Sequence, residues 1–586
     1  MRHIKENYRL SWVALFFVVI FSFLLSDSCP AQSLEDDIVF KAMKDELDRT
    51  MEKLQMENLE KPYYVSYTVN EFQTMRITAG FGALTNSSRT TRRFLTVDLR
   101  VGDYNFDNTN FVADYGGIPP SYTALPLEDD YDAIRHEIWL LTDRAYKQAL
   151  ETLAKKRAYI QNKTITDLPE DFSKEEPYTY SEPKASLEVD SAYWVETVKD
   201  LSSIFTQYPA LNDWKIQVTK VASNQYFVNS EGSRNRQNGS LVSLEVLIST
   251  QAEDGQEIFN FKTYNFEDEK DIPEKEKLIS EVKNLAQATL KAAQREPLTE
   301  YVGPVIFTGQ AAGELFRQLF ATNIAGPRSP LLADERFSFL MTKPKLVGKL
   351  NRRIMPEFLS IKDDPTISQF GGLPVIGGYE VDDDGVRAQS VSLVEKGKLV
   401  NLLMSRIPTK KVKGSNGHAR GTVNSNPEGR LANLVITSEQ EMSYDELKKK
   451  LVEYCKDVDL EYGIVVRRLK DKNIEMERSF DFSRYMGGSS EEKELTPPLE
   501  VYKVWVKDGR EEAVRGVEFE GVTIKTLKDI TEAGNDYYVH NFLLGHDDEL
   551  PASIVAPSIL IEEIELKETE AEALKPPYLR SPISQP

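Results

Sequence analysis

The chain has 586 residues, with 72 Lys and Arg against 93 Asp and Glu, a net charge of −21. At roughly 100–200 residues per domain it holds two to four domains, and 40% apolar residues suffice for real cores, which excludes a wholly disordered chain. The acidic excess argues against nucleic acid, whose binding needs clustered Lys and Arg, and the lack of any low-complexity tract excludes a fibrous protein.

Arg2, Lys5 and Arg9 precede an apolar run from Trp12 to Leu25, and a polar patch then leads to Cys29-Pro30-Ala31. The run is short for a bilayer crossing, which takes about 20 residues. Basic start, apolar core and small residue before the cut form the pattern of a secretory signal peptide. Residues 1–31 are therefore expected to be removed after Ala31. The mature protein is expected to be exported, to a bacterial periplasm, with no stable membrane anchor. The rival is a lipoprotein anchor on Cys29, for which Ser26-Asp27-Ser28 is a poor lead-in. Cleavage leaves Cys455 as the only thiol, so no internal disulfide can form. Cys455 follows Leu447 and Leu451 at helical spacing, and a buried position is expected.

Apolar residues at Leu34, Ile38, Met43, Leu47, Met51 and Leu54 predict a one-faced helix. Tyr63–Asn70 and Arg93–Val101 alternate and are rich in β-branched and aromatic residues, so they read as strands. Helical spacing returns over Ile134–Arg157, followed by a charged, proline-bearing loop at Asp167–Lys184. Ser191–Phe205 reads as helix, Trp214–Val228 and Leu241–Thr250 as strands, and Glu274–Arg295 as a closing helix with Leu278, Val282, Leu285 and Thr289 on one face. Beyond Gly303 short alternating runs dominate. Val391–Leu403 around Lys396-Gly397, and Tyr502–Val517 around Asp508-Gly509, read as hairpins. Ser443-Tyr444-Asp445-Glu446 is a capping box, with Met442 and Leu447 placed to staple it. The fold class is therefore α+β. An N-terminal mixed domain spans 32–298 with a helical insertion at about 134–184; a β-rich C-terminal domain spans 299–567; residues 568–586 form an unpacked tail.

Chemistry is harder to place. The mature histidines are His136, His418, His540 and His546, and no two share a metal-binding spacing on one helix. His136-Glu137 begins like a zincin signature, but no second His follows at Leu140 or Leu141. His540 and His546 could converge with Asp547 and Asp548, although an exposed acidic turn explains that segment as well. Asp382-Asp383-Asp384-Gly385 has Leu393 where a calcium loop needs its twelfth-position Glu, and turn chemistry accounts for it better. Gly414-Ser415-Asn416-Gly417 lacks the Lys of a phosphate loop.

The run Gly303-Pro304-Val305-Ile306-Phe307-Thr308-Gly309-Gln310-Ala311-Ala312-Gly313-Glu314-Leu315 resembles the TldD/PmbA family (peptidase U62, also called modulator of DNA gyrase). Further landmarks follow in that family's order: Asp363-Asp364-Pro365, Asp382 to Val386, Leu393 to Leu399, Gly417-His418-Ala419-Arg420, the Ser443 helix start, and Ile530 to Asp536. Phe227-Val228-Asn229-Ser230-Glu231-Gly232 is similar to the family's Asn-Ser-Glu-Gly turn. The likeness covers most of the mature chain and implies the family's two-domain α+β fold.

In TldD-type members a His-Glu-x-x-x-His helix and a Cys near the C-terminus hold a catalytic zinc. Laid on this chain, the motif falls on Gly313-Glu314-Leu315-Phe316-Arg317-Gln318, where only Glu314 is kept, and no Cys stands near Leu544-Gly545. The resemblance thus implies no zinc and no other cofactor here, and without the metal nothing lowers the pKa of an attacking water towards about 7. Glu314 is expected in helix capping or in a salt link to Arg317 at i+3. The PmbA/TldE branch also lacks the motif and is the non-catalytic partner of TldD in a heterodimer that encloses a cavity for unfolded or extended peptides. The expectation is an exported metallopeptidase homologue with a degenerate site, closer to that branch. Its partner would be a His-Glu-x-x-x-His-bearing paralogue that carries the zinc. Two alternatives stay open: an autonomous metallohydrolase with a site relocated to His540, His546 and Asp547 or Asp548, and a peptide-binding scaffold without a catalytic partner.

Overall fold

Two long antiparallel hairpins form the first half. In the computed structural model, which describes residues 34–583 apart from 114–120, 166, 327, 335, 337–343, 424, 475–493, 545–549 and 570–580, strands Pro62–Gly80 and Ala83–Val101 run side by side. The proposed signal segment 1–31 and most of the tail 568–586 lie outside the described residues. The two strands meet at a two-residue turn in which Phe81 and Gly82 both take positive φ, the geometry that matches strand twist. Asp213–Asn229 pairs with the inner side of the first hairpin and with Arg234–Gln251. Ser121–Ala124 closes one side of the sheet and Glu257–Phe266 extends the other. The hairpin strands run well beyond the expected 63–70 and 93–101. The outer portion of the second strand, Ala83–Arg92, carries Thr, Ser and Arg on both faces, so the alternation that marks a half-buried strand is missing there, whereas the first strand keeps Met75, Ile77 and Ala79 on its buried face.

All the helices of this half cover one face of the sheet. Side chains alternate sides along a strand, and the odd-numbered residues Val65, Tyr67, Val69, Met75 and Ile77 are buried. At one end they pack beneath helices Ile38–Lys53 and Tyr131–Lys163, and at the other beneath Ser191–Ser203 and Lys275–Ala293. Within the stretch 134–184 helix ends at Lys163, at a left-handed Thr164, and an irregular crossing follows. The face of this helix that carries Ile134, Ile138, Leu141, Tyr146 and Leu153 is part of the core. The opposite face of the sheet turns towards the second half, where Val221 and Leu241 meet Ile376 and Leu543.

The second half is two sheets around one apolar core. One sheet is ordered Lys398–Leu399, Val391–Glu395, Leu359–Asp363, Asn433–Ser438, Leu550–Ala556, Tyr538–Leu544. The other runs Glu511–Val514, Pro498–Trp505, Tyr462–Leu469, Glu300–Phe307, Ile559–Glu568, Val517–Glu520. Leu359, Leu393, Ile436 and Ile554 from the first share a core with Val305, Phe307, Val466 and Ile561 from the second. The Lys396-Gly397 turn is where expected, both residues at positive φ. A Cβ on Gly397 would lie 2.2 Å from the Met355 carbonyl, so only glycine fits. The hairpin around Asp508-Gly509 ends at Val514; Val517 leaves it to pair with the strand ending at Glu568. The capping box forms, with the Glu446 carboxylate accepting from Ser443 N at 2.8 Å. Cys455 is buried as expected, and burial pushes its thiol up to about 11.

A polar clasp joins the halves. The Asn229 side-chain oxygen accepts the backbone N–H groups of Glu231, Gly232 and Ser233, which fixes the turn and aims Glu231. Its carboxylate takes Arg406 in a two-pronged pair at 2.6 and 2.8 Å. Arg406 is 1% exposed, lies over the Phe172 ring at 4.0 Å and donates to the Ser173 carbonyl. Removing one member of a buried pair strands the other charge, at about 3–5 kcal/mol. Arg406→Ala is therefore expected to destabilise the chain by about that amount in urea unfolding; a loss below about 1 kcal/mol would show that the clasp is not a structural support.

Candidate functional site

Strand Glu300–Phe307 ends at Thr308, and Gly309, at φ +58, turns the chain into helix Gln310–Phe316. This helix packs against strands of both C-terminal sheets, and all its residues from Ala311 to Phe316 are buried. Over Arg317–Ala321 its hydrogen bonding loosens into a π turn, a rare form that recurs at functional sites.

Glu314, wholly buried, is the hub. Arg317 Nη1 donates to its Oε1 at 2.7 Å and equally to Asp471 Oδ2 at 2.7 Å. His540 Nε2 lies 2.8 Å from the same Oε1, and an ionised carboxylate only accepts, so Nε2 carries the proton. Gln318 Nε2 donates to Oε2 at 2.8 Å and to Thr496 Oγ at 3.0 Å, while Thr496 N donates back to Gln318 Oε1. The Arg317 guanidinium and the His540 ring both lie against Phe542. Burial would raise the Glu314 pKa, but the Arg317 charge and the His540 and Gln318 contacts outweigh it and hold the carboxyl down, at about 2.

Gly313 has a packing reason of its own. A Cβ there would lie 2.9 Å from the Cβ of His540, so the imidazole stands in the space a side chain at 313 would need. The structure thus brings Gly313, Glu314 and Gln318 together with His540, which sequence reasoning set elsewhere. His546, Asp547 and Asp548 lie outside the described residues. Among the described residues no three His, Cys, Asp or Glu side chains converge as a metal would require. Asp471, Thr496 and the His540–Glu314 contact were not found from sequence. They sit 154 or more residues from the helix, and no local pattern marks them.

The acidic run at Asp382 is a turn. Asp382 Oδ1 accepts from Asp384 N and Val386 N, and Oδ2 from Ala419 N. Asp383 accepts from Gln225 of the first half at 2.9 Å, so this landmark adds to the clasp between halves. His418 and Asp363, both fully buried, lie 3.3 Å apart beside it.

Two stacked sheets closed over a buried helix, joined to a half whose helices cover one face of its sheet, define a two-part α+β protein. Residues 300–568 match the PmbA/TldA metallopeptidase C-terminal domain. The chain is 28% identical over 194 residues to a protein named "Metalloprotease" of Methanothermobacter thermautotrophicus, a stretch covering 33% of this chain and 36% of that one. It is 38% identical over 112 residues to another so named from Archaeoglobus fulgidus, covering 19% of this chain and 24% of that one. These matches therefore span about a third and a quarter of those relatives' lengths. In fold, the chain is similar to a putative modulator of DNA gyrase from Thermotoga maritima, with a TM-score of 0.57 and 14% identity over 90% of this chain and all of that one. TldE from Thermococcus kodakarensis gives 0.55 and 15%, over 90% of this chain and 99% of that one. Over residues 300–568 the chain therefore carries the C-terminal domain of the PmbA/TldD metallopeptidases.

The depressed Glu314 carboxyl has a definite pH signature. Its stabilisation is present above the ordinary value of 4.5 and is lost as pH falls through about 2. Glu314→Gln is expected to cost about 3–5 kcal/mol at neutral pH by leaving buried charge uncompensated. The gap from wild type, read by urea unfolding, should narrow as pH drops below 4.5. A gap independent of pH would contradict the assignment.

Proposed function

We propose that this chain is an exported, non-catalytic subunit of the PmbA/TldE type, which pairs with a His-Glu-x-x-x-His-bearing paralogue to degrade unfolded or extended peptides. The observation that carries this reading is the occupation of Glu314. Both its oxygens are engaged, by Arg317 and His540 on one side and Gln318 on the other. A zinc ion does not fit this donor set. Glycine offers no ligand atom, the amide of Gln318 is a poor ligand beside imidazole or thiolate, and a guanidinium already sits 2.7 Å from the carboxylate oxygen an ion would need. Cutting is therefore assigned to the partner, whose own motif would hold the metal.

Peptide handling fits the frame. Open strand edges recruit extended backbone, and a cleft of about 730 Å³, lined among others by Lys220, Glu267, Asp271, Ser368 and Ile376, lies between the halves. That volume is within the usual range for ligand sites, about 300–1,000 Å³. Export rests on the basic and apolar start of the sequence. Among the described residues no helix is long and apolar enough to cross a membrane.

Hydrolysis of a denatured protein by the purified chain, by the paralogue, and by the two mixed tests the reading. The chain alone is expected to be inert, and the mixture to exceed the paralogue alone and to elute as one complex. Turnover by the chain alone, abolished by a chelator, would overturn it.

A further inference from the structure

We propose that the outer edge of strand Ala83–Val101 is a docking site for an acidic, extended segment of a protein partner, added as one more strand. The surface is separate from the Glu314 cluster, and the inference does not rest on the role assigned there. From Ala83 to Arg92 every residue is exposed. One side of this stretch is paired along its whole length with Pro62–Gly80. On the other side, Ser121–Ala124 covers only Phe94 to Val97, and among the described residues nothing pairs with the edge from Ala83 to Arg92. At about 3.3 Å per residue that leaves about 33 Å of unpaired N–H and C=O groups. Natural edges of this length are normally shortened, bent or blocked with Lys and Pro; this one contains no Lys or Pro and is interrupted only at Thr85, where its register with Thr78 and Ala79 shifts.

Charge selects the occupant. From Phe72 to Val97 the hairpin carries Arg76, Arg89, Arg92 and Arg93 and not one Asp or Glu, in a chain whose net charge is −21. Arg93 is spoken for, buried against Glu71 and Asp129, and Arg89 donates to the Leu187 carbonyl. Arg76 and Arg92 are exposed, and among the described residues neither has a carboxylate partner. The register places Arg92 opposite Phe72 and Arg76 opposite Ser88. Phe72 and Arg76 are four apart on one strand, so both guanidiniums stand on the sheet face turned away from the helices. A second copy of this chain is a poor occupant, because edge-to-edge pairing would bring one arginine strip against another, and like charges across a strand pair destabilise it. An extended segment with carboxylates at alternate positions satisfies both the open backbone and the two free cations.

Fluorescence anisotropy with the full chain tests this, using a labelled alternating Glu-Val decapeptide, its Lys-Val counterpart, the Glu-Val peptide N-methylated at every second amide, and an oligothymidine of like length. The Glu-Val peptide is expected to bind, with at least about tenfold weaker binding for the Lys-Val and N-methylated peptides and the oligonucleotide. Amide exchange should slow within residues 83–92 on binding. Arg76→Glu with Arg92→Glu, both exposed, should reverse the preference between the two charged peptides. Should that variant fail to fold, the N-methylated peptide and the exchange map decide alone. Absence of binding, indifference to N-methylation or charge reversal, protection confined to other strands, or equal binding of the oligonucleotide would each overturn the proposal.

Discussion

A single buried carboxylate organises the centre of the second half. Glu314 sits on a helix enclosed between two sheets, where an unpaired charge could not persist. Its neighbours are arranged around that demand. Arg317 comes from the next turn, Gln318 from i+4, and His540 from a strand 226 residues away. Asp471 shares Nη1 of Arg317 with Glu314, the Leu543 carbonyl accepts from Nη2, and Thr496 engages both ends of the Gln318 amide. Among the described residues the cluster is thus closed upon itself, both Glu314 oxygens and both ends of the Gln318 amide being engaged by its other members.

This closure separates family membership from activity. A fold does not fix the chemistry of the site built on it, and here the packing around the helix limits what that site can hold. Gly313 is not merely an empty position, because the His540 ring stands where its side chain would be. Gln318 is bonded at both ends of its amide. A side chain at 313 would collide with this packing, so the cluster is a structural element in its own right. The clasp made by Glu231, Arg406, Gln225 and Asp383, of which Glu231 and Asp383 lie in segments picked out by the resemblance, holds the two halves together.

What the sequence made legible was what is local. The capping box at Ser443, the Lys396-Gly397 turn and the amphipathic helices follow from spacings of a few residues, and they appear where spacing puts them. Gly313, Glu314 and Gln318 could be grouped for the same reason, since they share one helical segment. The remaining site residues are held by sheet topology, which no short pattern encodes. The first hairpin was underestimated because Ala83–Arg92 exposes both faces and so shows no alternation. Gln225 and Gln237 gave no sign of reaching across to Asp383 and the backbone at Val381, because an amide on a strand looks the same whether it meets water or a neighbouring domain.

The most direct test of the central idea is equilibrium dialysis of the purified, folded chain against buffered free zinc, followed by elemental analysis of the protein. Saturation of Glu314 by its own neighbours predicts well under one equivalent retained at the helix, with no difference between wild type and Glu314→Gln. One tightly held equivalent that disappears in Glu314→Gln would contradict it.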